Sequence, residues 1–327
     1  RTLNLRPPDY FPRATDAIAE IIVAVKRLLE AGVAYEAGGN VYFHIDDWPE
    51  FGKLSHIPRQ EMLPIANERG NFPDDPHKRD PLDFVLWQAQ KPGEPAWESP
   101  WGAGRPGWHI ECSTIITKWL GETIDIHGGG ADLTFPHHEC GIAQVEPVTG
   151  KPFVRTWMHT AMVRYQGEKM SKSLGNLIMV RDLLKTYSPD VIRLYLAAHH
   201  YRSSWSHDER KLEQAQTLAK HLLDIVMLPS GQTPPTAEMK ESYALDEKNF
   251  HAAMNNDLDT PKALSAIEDL AIDVKYDALA GYDVQEAMST LRAFCRVFGL
   301  QLDAGEPEPR VVAGWNRHLE RFRMSED

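Results

Sequence analysis

The sequence predicts an α/β domain followed by a helical bundle, and three features of the chain carry that expectation. Between Trp108 and Tyr165, helical stretches alternate with short extended runs, one of which ends in three glycines. After Pro189 the chain holds five apolar-periodic helical segments separated by proline- and glycine-bearing gaps, the pattern of a bundle. Between Pro49 and Pro106 lies a long stretch rich in Pro, Gly, Trp and charge, which reads as an ordered insertion of small elements. The boundary between the two parts falls near residues 185–205.

Taken in order, "TDAIAEIIVAVKRLLEAG" predicts a helix from Asp16 to Glu30, closed by Gly32. "NVYFHIDD" alternates as a strand does. After the insertion, "HIECSTIITKWLG" is helical, "TIDIHGGG" is a strand running into glycines, and "HHECGIAQVEPVTG" is a second helix. "RTWMHTAMVRY" supplies an extended element ahead of a lysine-bearing loop. The bundle segments are "PDVIRLYLAAHH", "DERKLEQAQTLAKHLLDIV", "YALDEKNFHAAMNNDL", "TPKALSAIEDLAIDVKYDAL" and "VQEAMSTLRAFCRVFGL".

Composition narrows the function classes. The 327 residues carry 47 acidic and 35 basic side chains, a net charge of -12, which argues against a non-specific coat for nucleic acid but leaves room for a local basic pocket. The three cysteines are too few for a disulfide framework and fit a reducing compartment. There is no apolar run of membrane-spanning length, and "RTLNLRPPDYFPRATD" lacks the apolar core of a signal peptide. The expectation is a cytoplasmic monomer without membrane contact.

Three constellations bear on chemistry. Cys112, His137, His138 and Cys140 offer thiol and imidazole donors of the kind Zn²⁺ takes, although their spacing is not that of a zinc finger. Gly128, Gly129 and Gly130, followed by Asp132, permit either close backbone approach or positive φ, and read as a ligand-facing sheet edge or a tight turn. "GEKMSKSLGN" sets Lys169, Ser171, Lys172 and Ser173 between glycines. Such a loop can bring ammonium groups to a polyphosphate, or be simply solvated. It is not a Walker A loop.

"KMSKS" at Lys169–Ser173, together with "KRDPLDFVLWQAQKPGEPAWESPWGAGRPGWHIECS", "DIHGGGADLTFPHHE" and "AAHHYRS", resembles the cysteine-activating branch of the class I aminoacyl-tRNA synthetases. The resemblance runs from residue 3 to about 300. It implies a Rossmann-like class I catalytic domain, here partial, at 1–188 with the insertion at about 49–106. A helical bundle at 189–300 and an irregular extension at 301–327 follow.

The resemblance also implies a reaction: cysteine and ATP, with Mg²⁺, give cysteinyl-adenylate. On that footing Lys169 and Lys172 are the catalytic cations. Ser171 and the three glycines at 128–130 join them around the nucleotide. Trp108, His127 and Asp132 surround the bound cysteine, Asp132 facing its ammonium, while Cys112 and His137 ligate a Zn²⁺ that selects the thiol. Two departures stand out. The family's His-Ile-Gly-His signature and a further zinc-binding cysteine do not appear, so the opening is expected to lie inside the catalytic domain. Gly141 stands where tRNA-charging members usually carry a glutamate ligand. That glycine, the "ERGNFPDDPHK" stretch and the short tail favour transfer of cysteine to a small amine, glucosaminyl-inositol, as in the mycothiol-type ligase. Transfer to tRNA(Cys) is the alternative, and a catalytically degenerate binding module is a third reading.

Overall fold

The computed structural model describes residues 2–170 and 175–302. Ser171 and Lys172, and the expected extension beyond Leu302, lie outside the described residues. The chain divides into two compact units, residues 8–162 and residues 1–7 with 163 onward.

In the 8–162 unit a 3₁₀ turn at Ala14–Asp16 leads into helix α1, Ile18–Glu30. Ile21, Val25 and Leu28 form its buried stripe at i, i+4 and i+7. Gly32, at φ +77, closes it with the Val33 N–H bonding the Leu28 carbonyl and the Gly32 N–H bonding that of Leu29. Strands β1 (Ala34–Ala37) and β2 (Asn40–Phe43) pair as a hairpin. Helix α2 spans Arg59–Glu68.

Strands β3 (Phe84–Ala89) and β4 (Gly104–Pro106) then extend the hairpin into a four-stranded antiparallel sheet in the order β1-β2-β3-β4. The 49–106 stretch is therefore less irregular than its composition suggests, since it completes this sheet. Leu86 and Trp87 in β3 are fully buried, so the strand shows an apolar run rather than the alternation of a half-exposed strand. Burying such side chains contributes roughly 1.5–3 kcal/mol each.

One carboxylate ties this region together. Asp83, fully buried, accepts the Tyr35 hydroxyl at 2.7 Å, the Ile45 N–H at 3.1 Å and the Asp80 N–H at 3.1 Å. His44 Nδ1 lies 3.0 Å away. Burial, followed by the bond to Asp83, holds the Tyr35 phenol well above its usual range. The Tyr35 oxygen in turn accepts the Arg79 N–H, and the Arg79 guanidinium sits 4.0 Å over the Tyr35 ring.

Helix α3, Trp108–Leu120, begins hard against β3. A Cβ on Gly107 would stand 1.9 Å from the Val85 carbonyl oxygen, so only glycine lets the helix start there. Strand β5 (Ile124–Gly130), helix α4 (Glu139–Thr149) and strand β6 (Val154–Thr160) form a β–α–β crossover. Its two strands pair in parallel from Ile124↔Val154 to Gly130↔Thr160.

The second unit has a small sheet of β7 (Val163–Tyr165), β8 (Glu168–Lys169) and β9 (Trp205–Ser206), ordered β8-β7-β9. A short helix α5 (Val180–Leu183) precedes five longer ones: α6 (Pro189–Ala197), α7 (Glu209–Val226), α8 (Ala237–Asn255), α9 (Thr260–Leu279) and α10 (Gln285–Val297). Their starts follow from capping chemistry, because Ser188, Asp208, Thr236 and Asp259 each accept a first-turn N–H. Leu222, Ile267, Leu270 and Leu291 fill the core beside the stacked rings of Phe250 and Phe294, 3.8 Å apart. Among the described residues no helix is long and apolar enough to cross a membrane.

The bundle contains one costly group. Asp246 on α8 is only 7% exposed, and its Oδ2 has no hydrogen-bond partner among the described residues. Burial, then the neighbouring charges of Asp273 and Asp269 on α9, raises its pKa to about 6. A carboxyl whose folded pKa lies above its unfolded value favours the protonated fold. Its cost is absent below about pH 4, grows as pH rises to about 6, and is constant above that. Asp246→Asn is therefore expected to stabilise the protein at pH 8 by on the order of 1 kcal/mol. It should leave stability at pH 4 nearly unchanged, as read by thermal denaturation at the two pH values.

Candidate active site

Helix α3 presents Trp108 and Cys112 one turn apart on the same face. The half-exposed Trp108 ring stacks on His137 at a centroid separation of 4.8 Å and on His109 at 5.3 Å. His137 belongs to the irregular turn Thr134–His138 leading into α4, and its Nδ1 meets His109 Nδ1 at 2.8 Å. Two residues expected from the sequence, Trp108 and His137, are thus brought together, with His109 as an unforeseen third member.

His127 lies on β5 in a second aromatic group. Its ring packs 4.9 Å from Trp157 and 4.4 Å from His138, whose Nδ1 is 2.8 Å from His159 Nε2. Burial is the main force on all these imidazoles and disfavours their charged forms. It lowers His127 to about 4 and His138 to about 3, with repulsion from neighbouring histidines adding to it. His109 falls to about 3 by burial and then by His137, and His137 is itself lowered by burial. The cluster is neutral at physiological pH. His127 Nδ1 is buried with no hydrogen-bond partner among the described residues, a polar atom that a ligand could satisfy.

The glycine run has a cause internal to the chain. None of the three glycines at 128–130 takes positive φ. A Cβ on Gly129 would stand 2.8 Å from His138 Cε1, and one on Gly130 would stand 2.6 Å from Asp132 Oδ1. Gly128 would meet only the Met158 carbonyl oxygen, at 3.7 Å. Asp132 itself sits in the 3₁₀ turn Ala131–Leu133, where the Arg69 guanidinium donates to its backbone carbonyl and lies 3.9 Å from its carboxylate.

Glu139, next to the two histidines, is buried and accepts the N–H groups of Leu54 and Ser55 at 3.2 and 2.9 Å. It fastens the loop of the 49–106 stretch to the start of α4. A cavity of about 670 Å³ opens in the same unit, lined by Arg69, Lys78, Lys91, Arg105, Phe72 and Trp108 among others.

The zinc expectation meets a partial donor set. Burial keeps His137 neutral, as a ligand must be, but it raises the Cys112 thiol, with Glu111 adding to the rise, and a ligand thiol must lose its proton. Among the described residues no group of three or more His, Cys, Asp or Glu side chains is placed to hold a metal ion. The two donors have the right chemistry and do not complete a tetrahedral set. Cys140, fully buried with its thiol pushed far up by that burial, packs in the apolar core and adds no donor. Lys169 lies exposed on β8 in the other unit, paired in register with Arg164. Ser171 and Lys172 fall outside the described residues.

His109, His159, Trp157, Arg69 and Glu139 are the members that sequence reasoning missed, while His138, read there as a metal donor, packs instead against His127 and His159. "WHIECS" and "PHHE" held a signal for His109 and Glu139, since both sit within a turn of residues already singled out. Arg69, 63 residues from Asp132, carried none.

Comparison with known proteins fits this architecture. Residues 1–217 match the family described as the tRNA synthetases class I (C) catalytic domain, and residues 249–303 match the DALR domain. The chain belongs to the class I (C) tRNA synthetase catalytic-domain family. It is 45% identical to the Cysteine--tRNA ligase of Symbiobacterium thermophilum, over 94% of this chain and 67% of that protein. It is 43% identical to that of Aquifex aeolicus, over 99% and 69%. With that of Legionella pneumophila (strain Corby) it shares 48%, over 83% and 58%. The chain thus spans 58% to 69% of the length of these curated relatives.

In structure it is similar to Mycobacterium tuberculosis methionyl-tRNA synthetase in complex with methionyl-adenylate, with TM-score 0.56 and 16% identity over 91% of this chain and 73% of that one. A putative arginyl-tRNA synthetase from Campylobacter jejuni gives TM-score 0.53 and 13% identity over 94% and 65%. At these identities the likeness is one of fold.

The glycine contacts give a graded expectation. Gly128→Ala should shift stability by less than about 0.5 kcal/mol, whereas Gly129→Ala and Gly130→Ala should each cost roughly 1–3 kcal/mol through displaced His138 and Asp132. Thermal denaturation of the three variants side by side checks this order.

Proposed function

We propose that the full-length protein activates L-cysteine with ATP and transfers it to tRNA(Cys). The observation that carries this reading is 45% identity to a Cysteine--tRNA ligase across 94% of the chain. A small amine was the acceptor favoured by the sequence, and the relatives favour tRNA instead. The argument from a short tail loses its force because the chain spans only part of its relatives' length. A net charge of -12 is a property of the whole chain and does not exclude a local basic site. The cavity beside Trp108 is lined by Lys78, Lys91 and Arg105, by Asp74 and Asp75, and by the exposed ring of Phe72, a mixed lining with cations and a ring that phosphates and a base could use.

In this reading the cysteine carboxylate attacks the α-phosphorus of ATP, giving cysteinyl-adenylate and pyrophosphate. A terminal hydroxyl of the tRNA then attacks the activated carbonyl and AMP leaves. Asp132 would hold the cysteine ammonium, while Trp108 and the unpartnered His127 Nδ1 would border the rest of the amino acid. Lys169 and Lys172 would neutralise charge on the departing pyrophosphate, and Mg²⁺ bound with ATP would add to that neutralisation. Cys112 and His137 would supply two ligands to a thiol-selecting Zn²⁺ in the full-length protein.

The test is cysteine-dependent ATP–pyrophosphate exchange by full-length protein, followed by acceptor trials. Exchange with cysteine and charging of a tRNA(Cys) transcript are expected. Exchange with transfer only to glucosaminyl-inositol would reverse the acceptor assignment. An absence of exchange would leave the degenerate binding module as the better reading.

A further inference from the structure

The "ERGN" stretch, residues 68–71, lies far in sequence from every candidate substrate residue, yet it reaches one of them. Helix α2 ends there in a fixed way. Gly70 takes φ +88, its N–H bonds the Asn67 carbonyl at 3.3 Å, and the Asn71 N–H bonds the Ala66 carbonyl at 3.1 Å. The Asn71 side chain is held from both sides, donating to Asn67 Oδ1 at 2.8 Å and to the Pro81 carbonyl at 3.0 Å. Lys78 closes the same knot by donating to Asn71 Oδ1. Arg69 therefore leaves a rigid helix end, and its guanidinium is committed to Asp132: one N–H bonds the Asp132 backbone carbonyl and the group stands 3.9 Å from the carboxylate. Gly130 leaves the space on the other side that this carboxylate occupies.

We infer that Arg69 is a positioning residue that fixes the 3₁₀ turn Ala131–Leu133, and with it the Asp132 carboxylate, for the ammonium of the substrate amino acid. The inference rests on the function proposed above, in which Asp132 faces that ammonium. Arg69 bonds the main chain of Asp132 and sets its positive charge 3.9 Å from the carboxylate of the same residue, so it fixes the height of the turn and favours a carboxylate held on that side. The guanidinium reaches the carbonyl with an N–H of fixed direction while keeping its charge beside the carboxylate, and a lysine ammonium can do this only in part. Arg69 also lines the 670 Å³ cavity, which makes it the physical link between that cavity and the amino-acid end of the site.

The experiment is steady-state pyrophosphate exchange on full-length protein, comparing the unaltered chain with Arg69→Ala and Arg69→Lys. Arg69→Ala is expected to raise KM for cysteine about tenfold, with KM for ATP changed less than about twofold and the melting temperature within about 2 °C. Arg69→Lys should recover part of the cysteine KM. An unchanged cysteine KM in a folded Arg69→Ala protein would overturn the inference while leaving the function intact. Equal rises in both KM values with a lowered melting temperature would reduce Arg69 to a general stabilising contact and also overturn it. Absence of cysteine-dependent exchange in the unaltered protein would defeat the functional reading itself, and the inference with it.

Discussion

The buried Asp83 carboxylate is the constraint on which the 8–162 unit depends. A fully buried ionisable group persists only when its lone pairs are occupied, and here Tyr35, Ile45, Asp80 and His44 converge on it from β1, the segment after β2 and the turn before β3. Removing one such partner leaves the others desolvated and unpaired, which is why the arrangement tends to hold or fail as a whole. The register of β3 beside β2 follows from this anchor, and β3 in turn seats α3 through the close approach at Gly107. Trp108 and Cys112 inherit their places from that helix. The face that carries these candidate residues is thus positioned by a buried carboxylate well away from them in sequence.

Much of this was legible in the sequence where periodicity or capping is local. The five long bundle helices followed from apolar spacing, and four of the starts at α6–α9 carry Ser, Asp or Thr caps. The "TIDIHGGG" strand and the helix after "PHH" were equally clear. The motif resemblance holds at the level of family. What stayed hidden depends on contacts between distant segments. Strands β3 and β4 looked like part of an irregular insertion because β3 is buried on both faces and β4 is three residues long. The neutral histidine cluster arises only when β5, β6 and the turn before α4 come together, and no spacing rule brings His127, His138 and His159 into one group.

The glycines at 128–130 show how a correct motif can carry an incomplete reason. A ligand lying close to the backbone is one reason for glycine, and the chain's own His138 and Asp132 side chains are another at positions 129 and 130. Glu139 is similar. Its place in "HHE" suggests chemistry, yet its carboxylate is already engaged with the backbone N–H groups of Leu54 and Ser55. Residues that serve the site by holding its walls are hard to separate from those that touch substrate until partners and distances are known.

In the function proposed above, the turn carrying Asp132, supported by Gly130 and the 49–106 stretch, would seat the amino group of cysteine. The most direct measurement is a crystal structure of the full-length protein with a non-hydrolysable cysteinyl-adenylate analogue. The expected result is the ligand's ammonium within about 3 Å of the Asp132 carboxylate, with Trp108 and His127 bordering the amino acid. An ammonium bound elsewhere, with Asp132 still turned to Arg69 and solvent, would contradict it.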